Sequence, residues 1–494
     1  MLTAAVLLPL AGATALAGWR RLSERDARRL AMAVSVVPLA LLVAAWLRFD
    51  RGSPELFQLT EEAPWIPTLG VGWRMGVDGI ALAVASASAV VFCAAIAYPV
   101  DTMGRGRQYH GWLLFLEAVS LGLFLTTDLL VFYVFFDLSL VGMYFLIARW
   151  GHGQPRVAAL KFFLYTLSGS LVMLLGILGL YLETDPLTFD MATIIAEQPL
   201  AAGGARAGLV LLALVVGLAV KTPLAPVHTW LPPAHVDAPG PVSAVLAGVL
   251  LKMGAYGLIR IPFAMLSDTF ADWAFLLAAA ATVSVVYGAL VGLGQSNLKA
   301  RIAYTSINHM GYTVLGIAVA GAAAGNADAR ALALTGATVE MVAHALITGA
   351  LFLIAGSFWA RTGDYELGHY GGLAGPARTL AFATTLASFA SLGLPGLAGF
   401  VAEVQILIGT FAVYPVAAGV ALLGLLVTAA LFLQMLQRLF FGELPSERKG
   451  FPDLRRTEAA ALGGLLALVV VIGVYPRWLL DLVQATSRLM IGAG

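Results

Sequence analysis

Residues 129–148 of this chain read LLVFYVFFDLSLVGMYFLIA, a run that contains a single ionisable side chain, Asp137. About 20 predominantly apolar residues are enough to cross a bilayer as an α-helix. Similar runs recur along all 494 residues, of which 60% are hydrophobic and only 12% are charged. Soluble domains contain about 25% charged residues. The sequence therefore predicts an all-α, polytopic membrane protein.

Fourteen apolar segments can be counted, and short polar connections separate them. Their approximate bounds are 2–18, 30–48, 78–99, 111–126, 129–148, 158–181, 207–228, 241–261, 272–294, 301–320, 332–357, 379–411, 415–440 and 458–480. The first segment has no basic region before it, which favours a retained membrane helix over a cleaved signal peptide.

Two of these segments are predicted to be broken helices. The seventh contains AVKTPLAPVHTWLPPAH (219–235), and the twelfth contains ASLGLPGLAGFVAE (390–403). Proline removes a backbone donor and clashes with the preceding turn. The breaks fall on the fourth helix of each unit if helices 4–8 and 9–13 are two copies of one inverted repeat. Paired interrupted helices in two halves indicate a transporter's ion site.

This spacing divides the chain into four parts. We predict three N-terminal helices in 1–110, a first repeat in 111–261, a second repeat in 272–440, and a loop with a last helix in 441–494.

Four ionisable residues lie within apolar runs: Asp137, Lys221, Lys252 and Glu403. A charge near the bilayer centre costs roughly 2.5–3.5 kcal/mol even on the lenient insertion scale. Placed one per helix, these residues indicate groups that pass protons or ions. We expect Asp137 and Lys221 to form a switchable pair. The alternatives are packing against an arginine for Asp137, snorkelling for Lys252, and a structural cap or ion pair for Glu403.

Six further residues are candidates for a proton relay, each balanced against a purely structural hydrogen bond. Glu340 and His344 are four residues apart, so they share a helix face. Glu117 stands near the start of the fourth helix, where an interfacial position is an alternative. The full set is His228, His235, His309, Glu340, His344 and Glu117. Lys299 and Arg301, at a helix start, are interpreted as anchors facing the cytoplasm.

Basic residues in the connections indicate the orientation. With the N-terminus outside, the cytoplasmic connections carry nineteen Lys and Arg residues and the opposite ones carry eight. The excess of Lys and Arg marks the cytoplasmic side. We therefore expect both termini on the periplasmic or outer side of a plasma membrane.

Several classes of site are absent from the sequence pattern. The net charge is +1, and the single cysteine is Cys93. No basic patch indicates nucleic acid, no cysteine cluster indicates zinc or iron–sulfur ligation, and no glycine-rich phosphate motif occurs. The spread of the histidines argues against a compact metal site.

The motifs resemble those of the antiporter-like, proton-pumping subunits of respiratory complex I, most closely the M-type branch. The matching stretches lie within 111–411 and include AVKTPLAPVHTWLPPAHVDAP, LAGVLLKMGAYGLIR and GQSNLKARIAYTSINHMGY. The resemblance implies fourteen helices, two inverted repeats and proton translocation without a bound cofactor. It places the family's proton-translocating residues on Asp137, Lys221, Lys252 and Glu403.

The resemblance also implies partners. Iron–sulfur clusters, flavin and quinone are expected in partner subunits, and L-like and N-like membrane subunits are expected beside this one in the lipid bilayer. This chain would then be a non-redox subunit of an NADH:quinone oxidoreductase of bacteria or archaea.

The sequence departs from the family's pattern at four positions. Asp137 replaces the usual Glu, Gly142 stands where proline is common, Pro233 replaces an aspartate, and Glu340 replaces a glutamine. The first leaves the Asp137–Lys221 distance open, and the last adds an ionisable group. The alternatives to a complex I-type subunit are a subunit of a sodium(potassium)/proton antiporter and a scaffold whose buried charges fix helix packing.

Overall fold

The computed structural model of the protein describes residues 1–19 and 21–492. Arg20, one of the basic residues counted for the orientation, and residues 493–494 lie outside the described residues. The described chain is a bundle of α-helices with one small β-hairpin. The predicted all-α membrane architecture is therefore confirmed, with the hairpin as an addition.

The N-terminal part contains three helices and the hairpin. Its elements are α1 (Leu2–Gly18), α2 (Glu24–Arg48), β1 (Gln58–Ile66), β2 (Val71–Val77) and α3 (Gly79–Ala97). The strands pair antiparallel, with Glu61 opposite Met75. The turn between them uses Gly70 at φ +67°, where a Cβ atom would lie 2.4 Å from the carbonyl oxygen of Leu187. Only glycine fits this turn, because L-residues disfavour positive φ and the neighbouring backbone leaves no space.

The next part contains the first predicted repeat. Its helices are α4 (Gly106–Leu125), α5 (Leu129–Trp150), α6 (Pro155–Tyr181), α7 (Met191–Glu197), α8 (Gly204–Lys221), α9 (Leu231–Asp237), α10 (Gly240–Val245) and α11 (Leu251–Leu258). Asp128 begins α5 as its N-cap, accepting hydrogen bonds from the amides of Leu130 and Val131. Such a cap satisfies amides that have no partner within the helix.

One helix in this part contains two wide π turns. Residues Gly240–Phe263 run as a single helix in which Leu246–Leu250 and Ile259–Phe263 are π-helical. The Leu251 amide donates to the carbonyl of Leu246, five residues back. The π turns lie on either side of α11, and π turns inside α-helices are frequent at functional sites.

The last part contains the second predicted repeat and the C-terminal helices. Its elements are α12 (Ser267–Leu293), α13 (Leu298–Ala320), α14 (Ala327–Thr362), α15 (Arg378–Ser391), α16 (Ala398–Val413), α17 (Pro415–Phe440), α18 (Arg456–Val474) and α19 (Arg477–Ile491). The last apolar segment, predicted as 458–480, ends at Val474. A separate helix, α19, follows Pro476 because proline cannot continue the preceding hydrogen-bond ladder.

Both predicted helix breaks are present. The first separates α8 from α9, and the second separates α15 from α16. The freed backbone of the first break is satisfied within the protein: the Ala225 amide donates to Ser284 Oγ at 2.9 Å, and Trp230 Nε1 donates to the Val220 carbonyl at 2.9 Å. Irregular backbone is tolerated at membrane depth under this condition.

Ten helices among the described residues are long and apolar enough to cross a membrane, while α1 and α16 are shorter apolar helices. The total of fourteen spans, the division into four parts and the inverted relation of the repeats stay predictions. Large apolar side chains are exposed on the outer faces of the bundle; examples are Leu175, Leu209, Phe275, Phe411 and Leu426. These faces suit lipid or neighbouring membrane subunits.

Candidate functional site

Lys221 is the last residue of α8 and lies next to the first break. Its side chain is 1% exposed, and its ammonium group donates to Ser139 Oγ at 2.8 Å. The same group lies 4.9 Å from the centroid of the Phe136 ring. A buried cation is thus held by a hydroxyl and an aromatic face. Neither of these contacts neutralises its charge.

Asp137 does not form the direct ion pair that we expected with Lys221. No carboxylate oxygen of Asp137 lies within 4.0 Å of the ammonium group, although the charge of Asp137 still acts on it. Helix geometry explains the difference, because successive residues are about 100° apart around the axis. Phe136 and Ser139 therefore face Lys221, while Asp137 points about 130° away from the direction midway between them.

The Asp137 side chain is half-buried, and its Oδ1 atom has no hydrogen-bond partner. It is therefore an acceptor that is not used in this arrangement. The structure places both members of the expected pair on facing helices, but in a separated state.

Lys252 lies in α11 immediately after the first π turn, and its side chain is fully buried. The π turn leaves the Ala247 carbonyl unused by the Leu251 amide, and the Lys252 ammonium group donates to this carbonyl at 2.6 Å. Nζ of Lys252 also lies 2.5 Å from Nδ1 of His344. The lysine is therefore held in the protein interior by a carbonyl and an imidazole.

The two lysines are on helices in close contact. A Cβ atom added to Gly254 would lie 2.7 Å from the backbone nitrogen of Thr222. Gly254 follows Lys252 by two residues, and Thr222 follows Lys221 directly. A glycine at this crossing brings the lysine-bearing helices together.

His309 connects the second half of the site. Its Nδ1 lies 3.0 Å from Oε1 of Glu340 and 4.0 Å from Oε1 of Glu403. Its Nε2 lies 3.0 Å from Ser391 Oγ, and its ring centroid is 5.5 Å from that of His344. Glu340 and His344 share a helix face as predicted, but they contact different partners. The sequence pattern gave the face, and the neighbouring helices determine the contacts.

Glu403 stands in the second turn of α16, just after the second break. Its side chain is 2% exposed, and in the part of the chain that the structure describes neither carboxylate oxygen has a hydrogen-bond partner. Gly393, within the break at φ +76°, approaches it so closely that a Cβ atom there would lie 2.0 Å from Oε2. The neighbouring break residues Leu394, Pro395 and Gly396 are exposed. The break thus extends from the surface of the bundle to a buried carboxyl group.

The other relay candidates lie around the series of contacts that runs from Lys252 through His344 and His309 to Glu403. Nε2 of His228 lies 3.2 Å from the hydroxyl of Tyr287, next to a cavity of about 790 Å³. Glu117 is fully buried, contrary to the interfacial alternative, and it accepts a hydrogen bond from Ser35 Oγ at 2.8 Å. Glu117 belongs to α4 and faces α2 and α3, so it lies at a distance from Lys221 and Lys252. His235 is described below.

Sequence reasoning missed several residues of the site. Ser139 and Ser391 hold Lys221 and His309 through hydroxyl groups, and serine in an apolar helix carries no distinctive signal. Lys299 and Arg301, which we interpreted as anchors facing the cytoplasm, do not reach the surface of the described chain. Both side chains are buried, and they bind backbone carbonyls such as those of His235 and Gln295. Lys299 is covered by the carbonyls of His235 and Ala238, which follow the first break, whereas Arg301 is covered by the end of α12 and by α17.

Comparison with known proteins gives a family match over much of the chain. Residues 126–432 match the model described as "NADH:quinone oxidoreductase/Mrp antiporter, TM". The chain is 36% identical to NADH-quinone oxidoreductase subunit M of Rhodobacter capsulatus, over 98% of this chain and 94% of the relative. It is 35% identical to F(420)H(2) dehydrogenase subunit M of Methanosarcina mazei, over 92% and 91%.

A solved structure is similar over nearly the whole length. A chain of respiratory complex I from Thermus thermophilus with bound NADH superposes with a TM-score of 0.87 at 30% identity, covering 99% of this chain and 100% of that chain. The similarity therefore includes the helices before and after the matched residues.

Proposed function

Because this chain belongs to the family of NADH:quinone oxidoreductase and Mrp antiporter membrane subunits, we propose that it moves protons across the membrane through its buried Lys, His and Glu side chains. It is a multi-pass membrane protein of a complex I-type enzyme, with other membrane subunits as partners. The observation that carries the proposal is the series of contacts from Lys252 through His344 and His309 to Glu340 and Glu403.

The second half of the site would carry the proton outward. The Lys252 ammonium group can give a proton to Nδ1 of His344, which leaves a neutral amine and an imidazolium. The proton then passes to His309 and on to the carboxylate of Glu403, which becomes a neutral acid. The exposed break beside Gly393 is the exit, since it leads from Glu403 to the surface. Glu403 becomes a carboxylate again when it releases the proton at this exit, and Lys252 regains its charge when it is reprotonated.

The first half would control this transfer. In the separated state, Lys221 would keep its charge on the helix that contacts the Lys252 helix at Gly254, and repulsion between the two ammonium groups would favour deprotonation of one of them. Rotation of Asp137 toward Lys221 would pair the charge and remove part of that repulsion. An alternation between the separated and paired states would therefore change the readiness of Lys252 to release its proton.

The electron chemistry is proposed to belong to partner subunits, which would hold the iron–sulfur clusters, flavin and quinone, while this chain is not catalytic alone. L-like and N-like subunits are the proposed membrane neighbours. Both termini are proposed to lie on the outer side of a bacterial or archaeal plasma membrane.

The test uses inside-out membrane vesicles that carry the native complex. Acidification is followed with a pH-sensitive dye after addition of NADH or, in parallel, of reduced F420, the donors named for the relatives. Lys252→Met should abolish dye quenching while the complex still assembles. Lys449→Met, at an exposed loop position, is the matched control and should pump normally.

Two outcomes would change the proposal. Normal pumping by Lys252→Met would favour a scaffold role for the buried charges. Proton exchange driven by a sodium or potassium gradient, without any electron donor, would favour the antiporter function that the family description also includes.

A further inference from the structure

Asp237 and Lys299 lie between a cavity at the bundle surface and Lys252. We propose that they form the proton entrance of the second half and load Lys252 through His235. This inference rests on the proposed function, and it adds two residues that were not among the relay candidates of the sequence analysis.

The entrance begins at the cavity of about 790 Å³ beside the first break. Asp237, the last residue of α9, lines this cavity together with Lys161 and His228. It is half-exposed, and its Oδ2 atom accepts a hydrogen bond from the amide of Gln154 at 3.2 Å. Gln154 belongs to the connection between α5 and α6, one of those counted as cytoplasmic. A carboxylate in this position can collect protons from that side.

Lys299 is the next group inward. Its side chain is fully buried, and its ammonium group donates to the carbonyl of His235 at 2.7 Å and to the carbonyl of Ala238. No carboxylate oxygen lies within 4.0 Å of it in the described chain, although the charge of Asp237 acts on it. A buried cation without a counter-ion in contact is costly, so its retention suggests a function beyond packing.

His235 stands between the two lysines. Its side chain is fully buried, both ring nitrogens lack a hydrogen-bond partner among the described residues, and the ring stacks on Phe352 with centroids 4.3 Å apart. The charges of Lys299 and Lys252 both act on this ring. A buried imidazole whose two nitrogens are free can accept a proton at one of them and release a proton from the other.

The neighbouring His152 is not a competing carrier. Burial lowers its pKa to about 3, and the charge of Lys299 lowers it further in the same direction. It stays neutral near pH 7, with its ring stacked on Trp359 at 3.9 Å between centroids. The route therefore uses the carboxylate of Asp237 rather than this imidazole. Tyr365 is a further titratable group beside Lys299, with its ring centroid 5.3 Å from Nζ.

One cycle of the entrance moves one proton and restores the charge of each group, but it leaves His235 in its other tautomer, so the ring must rotate before the next cycle. After Lys252 has released its proton to His344, its amine is neutral. Lys299 gives a proton to one nitrogen of His235, and His235 gives a proton from its other nitrogen to Lys252. Asp237, protonated from the cavity, then restores the charge on Lys299. The flexible lysine stem permits the movement that these transfers need.

A structural role for Lys299 makes a different prediction. A lysine that caps the last carbonyls of a helix stabilises the helix end. Arginine would serve equally well as a cap, because it is a cation with several donors. Arginine cannot release a proton under these conditions, however, because its pKa exceeds 12. The two roles therefore separate when lysine is replaced by arginine.

The experiment measures the initial rate of dye quenching in vesicles that contain the native complex, with assembly checked on native gels. Lys299→Arg and Lys299→Met should both assemble and should both pump at least about tenfold more slowly than the parent complex. A Lys299→Arg variant that pumps within twofold of the parent would contradict the proposed entrance and would leave only the capping role for Lys299. If Lys299→Arg does not assemble, the Asp237 variants decide.

Asp237→Asn keeps an acceptor for the Gln154 amide but cannot carry a proton in the same way, so pumping should fall at least about tenfold. Asp237→Glu restores the carboxyl group and should recover most of the rate. Equal pumping by Asp237→Asn and the parent would contradict the entrance. Lys252→Met separates the two proposals: if it pumps normally, the proposed function fails, whereas if it is inactive and Lys299→Arg is normal, only the entrance fails.

Discussion

The Lys252 ammonium group and Nδ1 of His344 are 2.5 Å apart in the interior of the bundle, and among the described residues no carboxylate contacts the lysine. The nearest side-chain base to this lysine is thus an imidazole. A proton leaving Lys252 can therefore pass to a group that is able to release it again.

Replacing His344 should block the first proton transfer, the one from Lys252 to His344. We expect His344→Gln to lower the pumping rate by at least about tenfold, because glutamine can accept a hydrogen bond from Lys252 but cannot carry its proton. Dye quenching in inside-out vesicles measures the rate. His369→Gln, at an exposed position, is the matched control. Equal rates for both variants would exclude His344 from the path.

Asp137 should be essential even though it lies apart from Lys221. Asp137→Asn removes the charge that can pair with the lysine, so most pumping should be lost while the complex assembles. Asp137→Glu should be tolerated, because the longer side chain shortens the distance to be covered. The same vesicle assay tests both variants, and a fully active Asp137→Asn would rule out the switchable pair.

Glu403 should contribute more to proton pumping than Glu340. Glu403 stands beside the exposed break, whereas Glu340 is bonded to His309 on an unbroken helix. We expect a large loss of pumping for Glu403→Gln and a smaller one for Glu340→Gln. The reverse order would require the exit to be redrawn along α14.

Replacing Gly393 should impair the protein for two reasons: its positive φ angle and its close contact with Glu403. A control variant separates the two effects. Gly393→Ala adds a Cβ atom at positive φ and forces Glu403 to move, whereas Gly396→Ala, at φ +93° with open space around it, adds only backbone strain. Strain of this kind costs roughly 1–2 kcal/mol. We expect both variants to lower the thermal stability of the purified complex, and only Gly393→Ala to lower pumping as strongly as Glu403→Gln. Equal pumping by the two alanine variants would indicate that the contact is unimportant.

The termini should face outward. The nineteen-to-eight distribution of basic residues predicts that a C-terminal tag is cleaved by protease added to intact cells or spheroplasts. Protection there, with cleavage only in inside-out vesicles, would reverse the orientation and with it the assigned entrance and exit.

The sequence was most informative at positions where a residue type is energetically unfavourable within a membrane helix. Proline and glycine clusters predicted both breaks, because their effect on a helix is local. The ionisable residues in apolar runs were predicted to be buried, and Lys221, Lys252 and Glu403 are almost completely so.

The partners of these residues could not be predicted in the same way. A side chain's direction depends on how its helix is rotated against a neighbour, which explains the separation of Asp137 from Lys221. Lys299 looked like an anchor because it begins a helix, and only the folded break shows that it is enclosed. The hairpin was missed because its strands carry several polar residues and pair with each other rather than forming a larger sheet.

The two π turns of the helix Gly240–Phe263 have a consequence for the evolution of the site. A π turn corresponds to a single inserted residue accommodated within one turn. Loss of one residue from Leu246–Leu250 would let the helix continue without interruption, but it would rotate Lys252 by about 100° about the helix axis. The lysine would then point away from His344 although every functional side chain was still present in the sequence. Conservation of length in this short segment is therefore as strict a requirement as conservation of the lysine itself.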